Sequence, residues 1–526
     1  MASITRQTVG NNTYLYESHS FRDEEGRPRN NKIKIGKIDR KTGRAAYNQE
    51  YLDRMLEAGT PVTIPETELT IEQKESVCEA LDNLKSYGLF YFLEKTAEKI
   101  KLIQILKETL PKYWKEICML CFYLISSDKS LSYMEDWLTE NESYPVGRMN
   151  SQRLSELLAA FGQKEHNDFY RAWNETNESD EYMALDLTSI SSYSKQIQDN
   201  ERGYNRDGEN LSQINLCLLF GEETQLPVYQ TIYSGSIADA NTFISTVAEM
   251  EAIKGRKKLV LVMDRVFFSG RNVKTLLEKQ CEFLMAVPFN SNWSKALVKE
   301  QRGKIDRVSN LINTSESPIR GIRKKIDFSG FRINAHLFYD PENEIRYRNY
   351  LYDFVSCLKK MVETEEPVTA FKKDIDKYLL FGKDNSVKIN ESVLERELET
   401  NGWHLIIGNG NITAQKAHDI YRKKDVVEKA FMKYKNLLGF HRLRVHTDVR
   451  MKNKLFVGFI SLIIVSYIHK VMKEKDLYNN MSMEKLFITL SKLKKTTING
   501  SQIMRPLSRE QREILSSFSI SLPVVG

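Results

Sequence analysis

The sequence predicts an α/β protein in which a mixed β-sheet is flanked by helices. Between residues 181 and 289, three apolar segments of strand-like composition precede a segment of helical periodicity, and two further apolar segments alternate with a second helix. One of them, KKLVLVMD, has the continuous apolar run of a strand buried on both faces. Strands and helices in this order favour a sheet with helices packed on its faces.

Composition is typical of a folded protein with a reduced interior. The chain has 526 residues, of which 41% are hydrophobic and 28% charged, and this length allows about two to four domains. Lys and Arg number 77 against 70 acids, for a net charge of +7. Because this excess is small, a polyanionic partner has to be argued from local clusters of charge. Six scattered cysteines suit a reducing cytoplasm.

No membrane association is expected from the apolar segments. The first residues contain no apolar run, so no signal peptide is predicted. The longest apolar stretch, residues 455–468, is too short for a span and is typical of a buried helix. Cys118 and Cys121 form a CxxC without a second Cys or His pair at zinc spacing, which favours a core helix.

The N-terminal third divides into two predicted regions. Residues 1–45 read as a basic β-hairpin, which could follow a DNA backbone or could be a charged edge that resists aggregation. Residues 46–180 show helical periodicity and form a candidate DNA-binding region. Within it, residues 151–176 could be a helix-turn-helix with Gly162 near the turn, although helix pairs of this length are common.

The remaining regions are an insertion, the return of the sheet domain and a tail. Residues 290–400 are predicted to be a mainly β insertion, with a hairpin formed by FRINAHLFYD and EIRYRNYLYDF. Residues 401–470 then complete the domain begun at 181–289, through the strand WHLIIGN and a helix that starts near Thr413. The tail, residues 471–526, carries no functional signal.

Two acids, Asp186 and Asp264, are predicted at or just past the ends of apolar strands. A single aspartate at a strand end is often a turn or capping residue. Two in adjacent strands would repel each other, and a divalent cation would relieve that repulsion.

The segment YRKKDVVEKAFMKYK, residues 421–435, is predicted to be one helix that carries an acid among cations. Helical spacing places Lys424, Glu428 and Lys435 on one side, with Tyr421 nearby. Residues 421–454 contain eleven Lys or Arg against three acids. A carboxylate suits a metal ion and the cations suit phosphates, whereas the alternative is a solvated helix with ordinary ion pairs.

The order of these features resembles the DDE transposases of bacterial insertion sequences, whose catalytic domain is ribonuclease-H-like. The resemblance is to the subgroup with a Tyr-(2)-Arg-(3)-Glu-(6)-Lys signature. That signature falls on Tyr421, Lys424, Glu428 and Lys435 with its spacing intact. One departure is Lys424, since lysine keeps the charge of arginine but lacks its bidentate fork.

The resemblance implies the site, the cofactor and the partners. It implies that Asp186, Asp264 and Glu428 are catalytic and hold two Mg²⁺ ions, for which Mn²⁺ can substitute. The residues implied to bind DNA are Tyr421, Lys424, Lys435, Arg442, Arg444, His446 and Arg450. Trp293, at the start of the insertion, is either a structural residue or one that stacks on a flipped base.

The implied function is a transposase that binds terminal inverted repeats, cleaves at the ends of a mobile element and transfers the 3′ ends to target DNA. The resemblance implies that the partner is DNA and that the active form is a homodimer. It also implies a location in the cytoplasm, at the nucleoid when the protein is bound to DNA. Two alternatives are a ribonuclease-H-like nuclease without strand transfer and a catalytically degenerate DNA-binding protein.

Overall fold

A computed structural model describes the chain apart from residues 1–2, 11, 40–42, 44, 59–70, 177–180, 237–238, 254–259, 314–317, 365–368, 383–385, 499 and 524–526. The described chain divides into two units. The first comprises Met1–Leu84 and Thr496–Ile503, and the second comprises Lys85–Lys495 and Met504–Gly526.

The first unit is built on an antiparallel sheet. Its strands and helices are β1 (Ser3–Val9), β2 (Asn12–Arg22), β3 (Pro28–Ile38), β4 (Ala45–Tyr47), α1 (Gln49–Glu57) and α2 (Ile71–Asp82). Strands β2 and β3 form the predicted hairpin, and Asp23 fixes its tip by accepting the N–H groups of Glu25 and Arg27. Leu15 and Ile35 form a small core under α1 with Tyr51.

Helices open the second unit, as the periodicity predicted. After β5 (Lys85–Ser86) they are α3 (Gly88–Lys99), α4 (Leu102–Thr109), α5 (Trp114–Ser126), α6 (Met134–Glu140), α7 (Ser151–Leu157) and α8 (Gln163–Thr176). The predicted helix pair is α7 and α8, and the Asn150 side chain caps α7. Cys118 and Cys121 are buried free thiols of α5, which confirms a core helix.

The predicted strands and helices of residues 181–289 are all present. They are β6 (Tyr182–Ser191), β7 (Gln213–Gly221), β8 (Pro227–Ser234), α9 (Asp239–Ile253), β9 (Val260–Met263), α10 (Gly270–Glu278) and β10 (Glu282–Ala286). Strands β6, β7 and β8 form an antiparallel meander. Strand β9 lies parallel to β6, and β10 lies parallel to β9. The sheet is therefore mixed, as predicted.

The next segment extends the same sheet and adds helices. Its elements are α11 (Asn292–Gln301), β11 (Leu311–Ile312), β12 (Ile319–Phe328), β13 (Phe331–Tyr339), α12 (Pro341–Glu363), α13 (Lys372–Tyr378), β14 (Leu379–Phe381), β15 (Val387–Ile389), α14 (Glu391–Leu398) and β16 (Trp403–Gly408). Among the described residues, nine strands form one sheet in the order β11-β12-β13-β16-β10-β9-β6-β7-β8.

The prediction of a mainly β insertion with a hairpin to EIRYRNYLYDF is wrong, because that segment lies in α12. The Asp340 side chain caps α12 by accepting the N–H of Asn343, and Pro341 occupies its first turn, where a missing N–H costs nothing. Strand β13 pairs instead with β12 on one side and with β16 on the other.

The C-terminal elements include one long core helix. They are α15 (Ala414–Lys423), α16 (Asp425–Met432), a π-helix (Lys433–Leu437), α17 (Asp448–Glu474), α18 (Met483–Ser491), β17 (Lys494–Ile498), β18 (Ser501–Met504) and α19 (Arg509–Ser517). Helix α17 is long and apolar enough to cross a membrane by length and composition, but 83% of its most apolar window is buried inside the protein. This burial identifies α17 as a core helix.

Candidate active site

Asp186 and Asp264 lie side by side on neighbouring strands. Strand β6 pairs in parallel with β9, and the last register pair joins Leu185 to Met263, directly before the two aspartates. Neighbouring strands run about 4.8 Å apart. Asp264 follows the end of β9 as expected, where its Oδ1 accepts the N–H of Arg265 at 2.7 Å. Asp186, by contrast, lies within β6, which continues to Ser191.

The environment of Asp186 opposes its ionisation. The side chain is half-buried, and burial raises the pKa of its carboxyl to about 6. This value already includes the charges nearby. The positive charges of Lys424 and Arg206 lower the pKa of Asp186, and the negative charge of Asp264 raises it. Since the pKa remains raised, the positive charge nearby does not compensate fully for the lost hydration.

The predicted single helix over residues 421–435 is wrong, because the structure divides it into three parts. Helix α15 ends at Lys423, α16 begins at Asp425, and a π-helix follows from Lys433. At the break, the N–H of Lys424 bonds the carbonyl of Tyr421 three residues back. The expected start of α15 is confirmed, since the Thr413 side chain accepts the N–H of Lys416.

Tyr421 contacts the aspartate pair directly. Its hydroxyl donates a hydrogen bond to Oδ1 of Asp264 at 3.1 Å. Burial raises the pKa of the Tyr421 phenol above its ordinary value, and the charge of Asp264 adds to the rise. The phenol therefore stays protonated and acts as a hydrogen-bond donor to the carboxylate.

Lys424 connects the three predicted acids. Its Nζ donates to Oε1 of Glu428 at 3.0 Å, and the side chain is buried. Burial alone would lower the pKa of Lys424, but the carboxylates of Asp186, Asp264 and Glu428 outweigh it and raise the pKa. The Lys424 ammonium group is thus hydrogen-bonded to the carboxylate from α16 and attracted electrostatically by those from β6 and from the end of β9.

Glu428 differs from the two aspartates in being accessible. Its side chain is 61% exposed, and it shares Lys424 with them through an i,i+4 pair. Within the described part of the chain, no three His, Cys, Asp or Glu side chains lie close enough together to hold a metal ion. The three acids therefore share a cation here without forming a closed set of ligands.

Two of the predicted DNA-binding cations are paired with acids of the loop between β6 and β7. Lys435 is buried, and its Nζ donates to both carboxylate oxygens of Asp207, at 2.8 and 2.7 Å. Arg442 makes a two-pronged contact with Glu209, at 2.7 and 2.6 Å. Both cations are held by the protein itself.

The other predicted DNA-binding residues occupy different surroundings. Arg450 donates from Nε to the carbonyl of Ser155 at 3.1 Å. Arg444 and His446 are exposed. Trp293 lies in α11, where it is half-buried and contacts the rings of Phe268 and Phe328 at centroid distances of 6.3 and 5.9 Å.

Asp207 and Glu209 are site residues that the sequence analysis missed. Their loop is shaped by Asn205, whose side-chain oxygen accepts the N–H groups of both residues. The segment NRDGE, residues 205–209, carries the Asn and Asp-Gly signals of such a turn. Those signals identify the turn but do not reveal its partners, which lie more than 220 residues away at Lys435 and Arg442.

Comparison with known proteins places these residues in a family. A family model described as "Transposase DDE domain" matches residues 178–464, and no curated protein matches the sequence. Among solved structures, the chain is similar to "Cryo-EM structure of piggyBac transposase synaptic complex with hairpin DNA", with a TM-score of 0.32 and 12% identity. The similarity covers 62% of this chain and about half, 54%, of the piggyBac transposase chain. Because the family model matches more than half of its residues, the chain belongs to the family that carries the transposase DDE domain.

Proposed function

We propose that the chain is a transposase of the insertion-sequence subgroup, which binds terminal inverted repeats, cleaves DNA at the ends of its element and transfers the 3′ ends to target DNA by a two-metal mechanism. The observation that carries this proposal is the convergence of Asp186, Asp264 and Glu428 on Lys424. Three acids from distant parts of the chain would not gather around one lysine in an ordinary solvated helix.

The strand order supports a ribonuclease-H-like catalytic domain. In the order β8-β7-β6-β9-β10, an antiparallel meander is followed on its other side by two parallel strands. This arrangement is the one expected of that fold, and it places the two aspartates at its centre. Strands β11 to β13 and β16 would then be additions to the edge of the catalytic sheet.

The carboxylate oxygens of the three acids are of the chemical type that binds divalent cations. Carboxylate oxygens are the ligands that Mg²⁺ prefers, and Mg²⁺ keeps several other positions for water and phosphate oxygens. Asp186 and Asp264 would hold the ions from adjacent strands, and the accessible Glu428 would complete the set on leaving Lys424. The chemistry supplied by two bound ions is activation of the attacking oxygen and stabilisation of the leaving oxygen.

The surrounding residues have roles of their own in this proposal. Tyr421 holds one oxygen of Asp264 by its hydrogen bond and so orients the other. Lys424, once freed from Glu428, is a buried positive charge beside the aspartates, suited to a DNA phosphate. Lys435 and Arg442 would contact phosphates only after their ion pairs with Asp207 and Glu209 have broken.

The experiment uses a duplex that carries the inverted repeats flanking the coding region. With Mg²⁺, we expect the protein to nick this duplex at the repeat ends and to join pre-cut 3′ ends to a second DNA. Cutting without joining would identify a nuclease instead. Binding without cutting would identify a catalytically degenerate copy. The lysine at position 424 is the departure from the signature that motivates this alternative.

A further inference from the structure

A basic cleft lies in the second unit among α7, the loop that follows α5 and the segment that leads into α17. Its volume is about 450 Å³. Residues 127–132 form one wall, and residues 438–450 contribute to the other. The acidic cluster of Asp186, Asp264 and Glu428 does not line it. The cleft is therefore a separate candidate site.

Four cations line this cleft: Lys129, Arg444, Arg450 and Lys454. In the part of the chain that the structure describes, none of the four has a carboxylate within ion-pairing distance. Four cations around the acidic cluster differ in this respect, because each of them is paired with a carboxylate. Those pairs are Lys424–Glu428, Lys429–Asp425, Lys435–Asp207 and Arg442–Glu209. One acid, Asp128, also lines the cleft. Against this single carboxylate, the four cations give the cleft an excess of positive charge that is not taken up in ion pairs.

Lys454 adds a buried charge to the cleft. The side chain is 7% exposed, and its Nζ donates to the carbonyl of Leu443 at 2.7 Å. Burial, together with the neighbouring positive charge of Arg444, lowers its pKa to about 8. Because that pKa is still above 7, Lys454 is mostly charged at neutral pH. An anion in the cleft would stabilise the charged form of Lys454 further.

The uncharged lining indicates which part of a ligand would be recognised. Serine hydroxyls are supplied by Ser127, Ser130, Ser132, Ser151 and Ser155. The apolar lining is aliphatic, and among the described lining residues His446 has the only aromatic ring, with no Phe, Tyr or Trp beside it to form a stacking surface for a base. Cations with hydroxyls contact phosphates and sugars, whereas recognition of an unstacked base usually needs an aromatic platform.

We propose that this cleft binds the sugar–phosphate backbone of DNA, at a site separate from the acidic cluster and without reading its sequence. The inference rests on the proposed function, since it names the part of the DNA that the cleft would hold. The backbone contact that it assigns to Lys129, Lys454 and the five lining serines is the same one that it assigns to Arg444 and Arg450.

The test removes two exposed cleft charges by Lys129→Gln together with Arg444→Gln. The matched control is Lys475→Gln together with Arg512→Gln, which removes one lysine and one arginine from exposed positions outside the cleft. Affinity for a duplex without the element's ends is measured between roughly 50 and 200 mM salt, a range over which counterion release changes affinity strongly. Thermal melting of both variants checks that they fold.

We expect the slope of log affinity against log salt to fall by about 1 to 2 in the cleft variant, roughly 0.9 per lost phosphate contact, and to stay unchanged in the control. Equal slopes in the two variants would overturn the inference, as would a wild-type protein without salt-dependent binding. Loss of dAMP binding with an unchanged duplex slope would also overturn it, because the cleft would then hold a free nucleotide. Nicking by the wild type is scored separately, so failure of the proposed function leaves this comparison readable.

Discussion

At the scale of single residues, burial dominates the electrostatics of Asp186. Lys424 and Arg206 bring positive charge to this carboxyl, and Asp264 brings negative charge. The pKa of Asp186 is nevertheless raised to about 6, so these cations compensate only in part for its burial. A site in this state favours additional cations, as a divalent-metal site would.

Asp186→Asn should therefore stabilise the metal-free protein while removing its activity. The folded state raises the pKa of Asp186 above the unfolded value of about 4, so ionised Asp186 costs stability above pH 6. We expect the variant to gain about 1 to 3 kcal/mol of unfolding free energy at pH 8. The gain should shrink as the pH falls through 6 towards 4, where wild-type Asp186 also becomes neutral.

Urea unfolding at pH 8 and pH 5 without divalent ions measures this difference. A variant less stable than the wild type at pH 8 would show that Lys424 more than compensates for the burial of Asp186.

Lys435→Gln should loosen the loop between β6 and β7. The substitution leaves Asp207, which is 31% exposed, without its cation. We expect a loss of about 1 to 2 kcal/mol, intermediate between exposed and buried pairs, and faster amide exchange over residues 192–212. Asp207→Asn alone and the double variant complete a double-mutant cycle. A coupling energy near zero would mean that the contact does not hold the loop.

At the scale of elements, the sheet could be predicted because its strands are continuous apolar runs. Strand β7 is buried at every position, and the apolar residues of β9 and β10 mark them equally clearly. The prediction failed at α12 because the alternating pattern of IRYRNYLYDF is typical of a strand as well as of an amphipathic helix. The capping residue Asp340 and the following Pro341 are the local signals that indicate the start of a helix.

The geometry of the site could be predicted only in part. The two aspartates could be identified because they follow the apolar residues of the predicted strands. The helix break at Lys424 contains neither proline nor glycine, so no residue type there indicates it. The pairing of Asp207 with Lys435 and of Glu209 with Arg442 depends on how β6, β7 and the π-helix pack. Contacts across such distances follow from tertiary structure rather than from local periodicity.

Gly458→Ala should destabilise the protein although alanine favours helices. A Cβ at this position of α17 would lie 2.5 Å from the Tyr434 hydroxyl and 2.6 Å from Phe440. Tyr434 is fully buried and donates to the carbonyl of Leu455 at 2.8 Å, so it has little room to move. We expect a loss of about 1 to 3 kcal/mol from overpacking, against a gain of up to about 1 kcal/mol from helix propensity.

Ser466→Ala provides the control on the same helix, because the Ser466 hydroxyl is buried and has no hydrogen-bond partner among the residues that the structure describes. That variant should be neutral or more stable. A Gly458→Ala protein with a higher melting temperature than the wild type would contradict the close packing of α17 against the π-helix.

At the scale of the whole chain, the proposed active site is assembled from residues 186, 264 and 428, which folding brings to a single lysine. The net charge of +7 gives little hint of this, since most cations near the acids are paired within the protein. Because joining two DNA ends would require two copies of the site, we propose that the active form is a homodimer.

Glu428→Gln in the nicking assay tests the central claim most directly. Glu428 is exposed, so the substitution should leave the fold intact. Asp425→Asn is the matched control, because Asp425 lies on the same helix, is also exposed and pairs with Lys429 through the same i,i+4 spacing. With Mg²⁺ and the end-bearing duplex, we expect Glu428→Gln to bind DNA but to cut it at least about 10-fold more slowly, because even the loss of a residue that orients a metal ligand typically costs about 10- to 100-fold. Asp425→Asn should cut at the wild-type rate. Wild-type cutting by Glu428→Gln would contradict the assignment of the third acid and the site built on it.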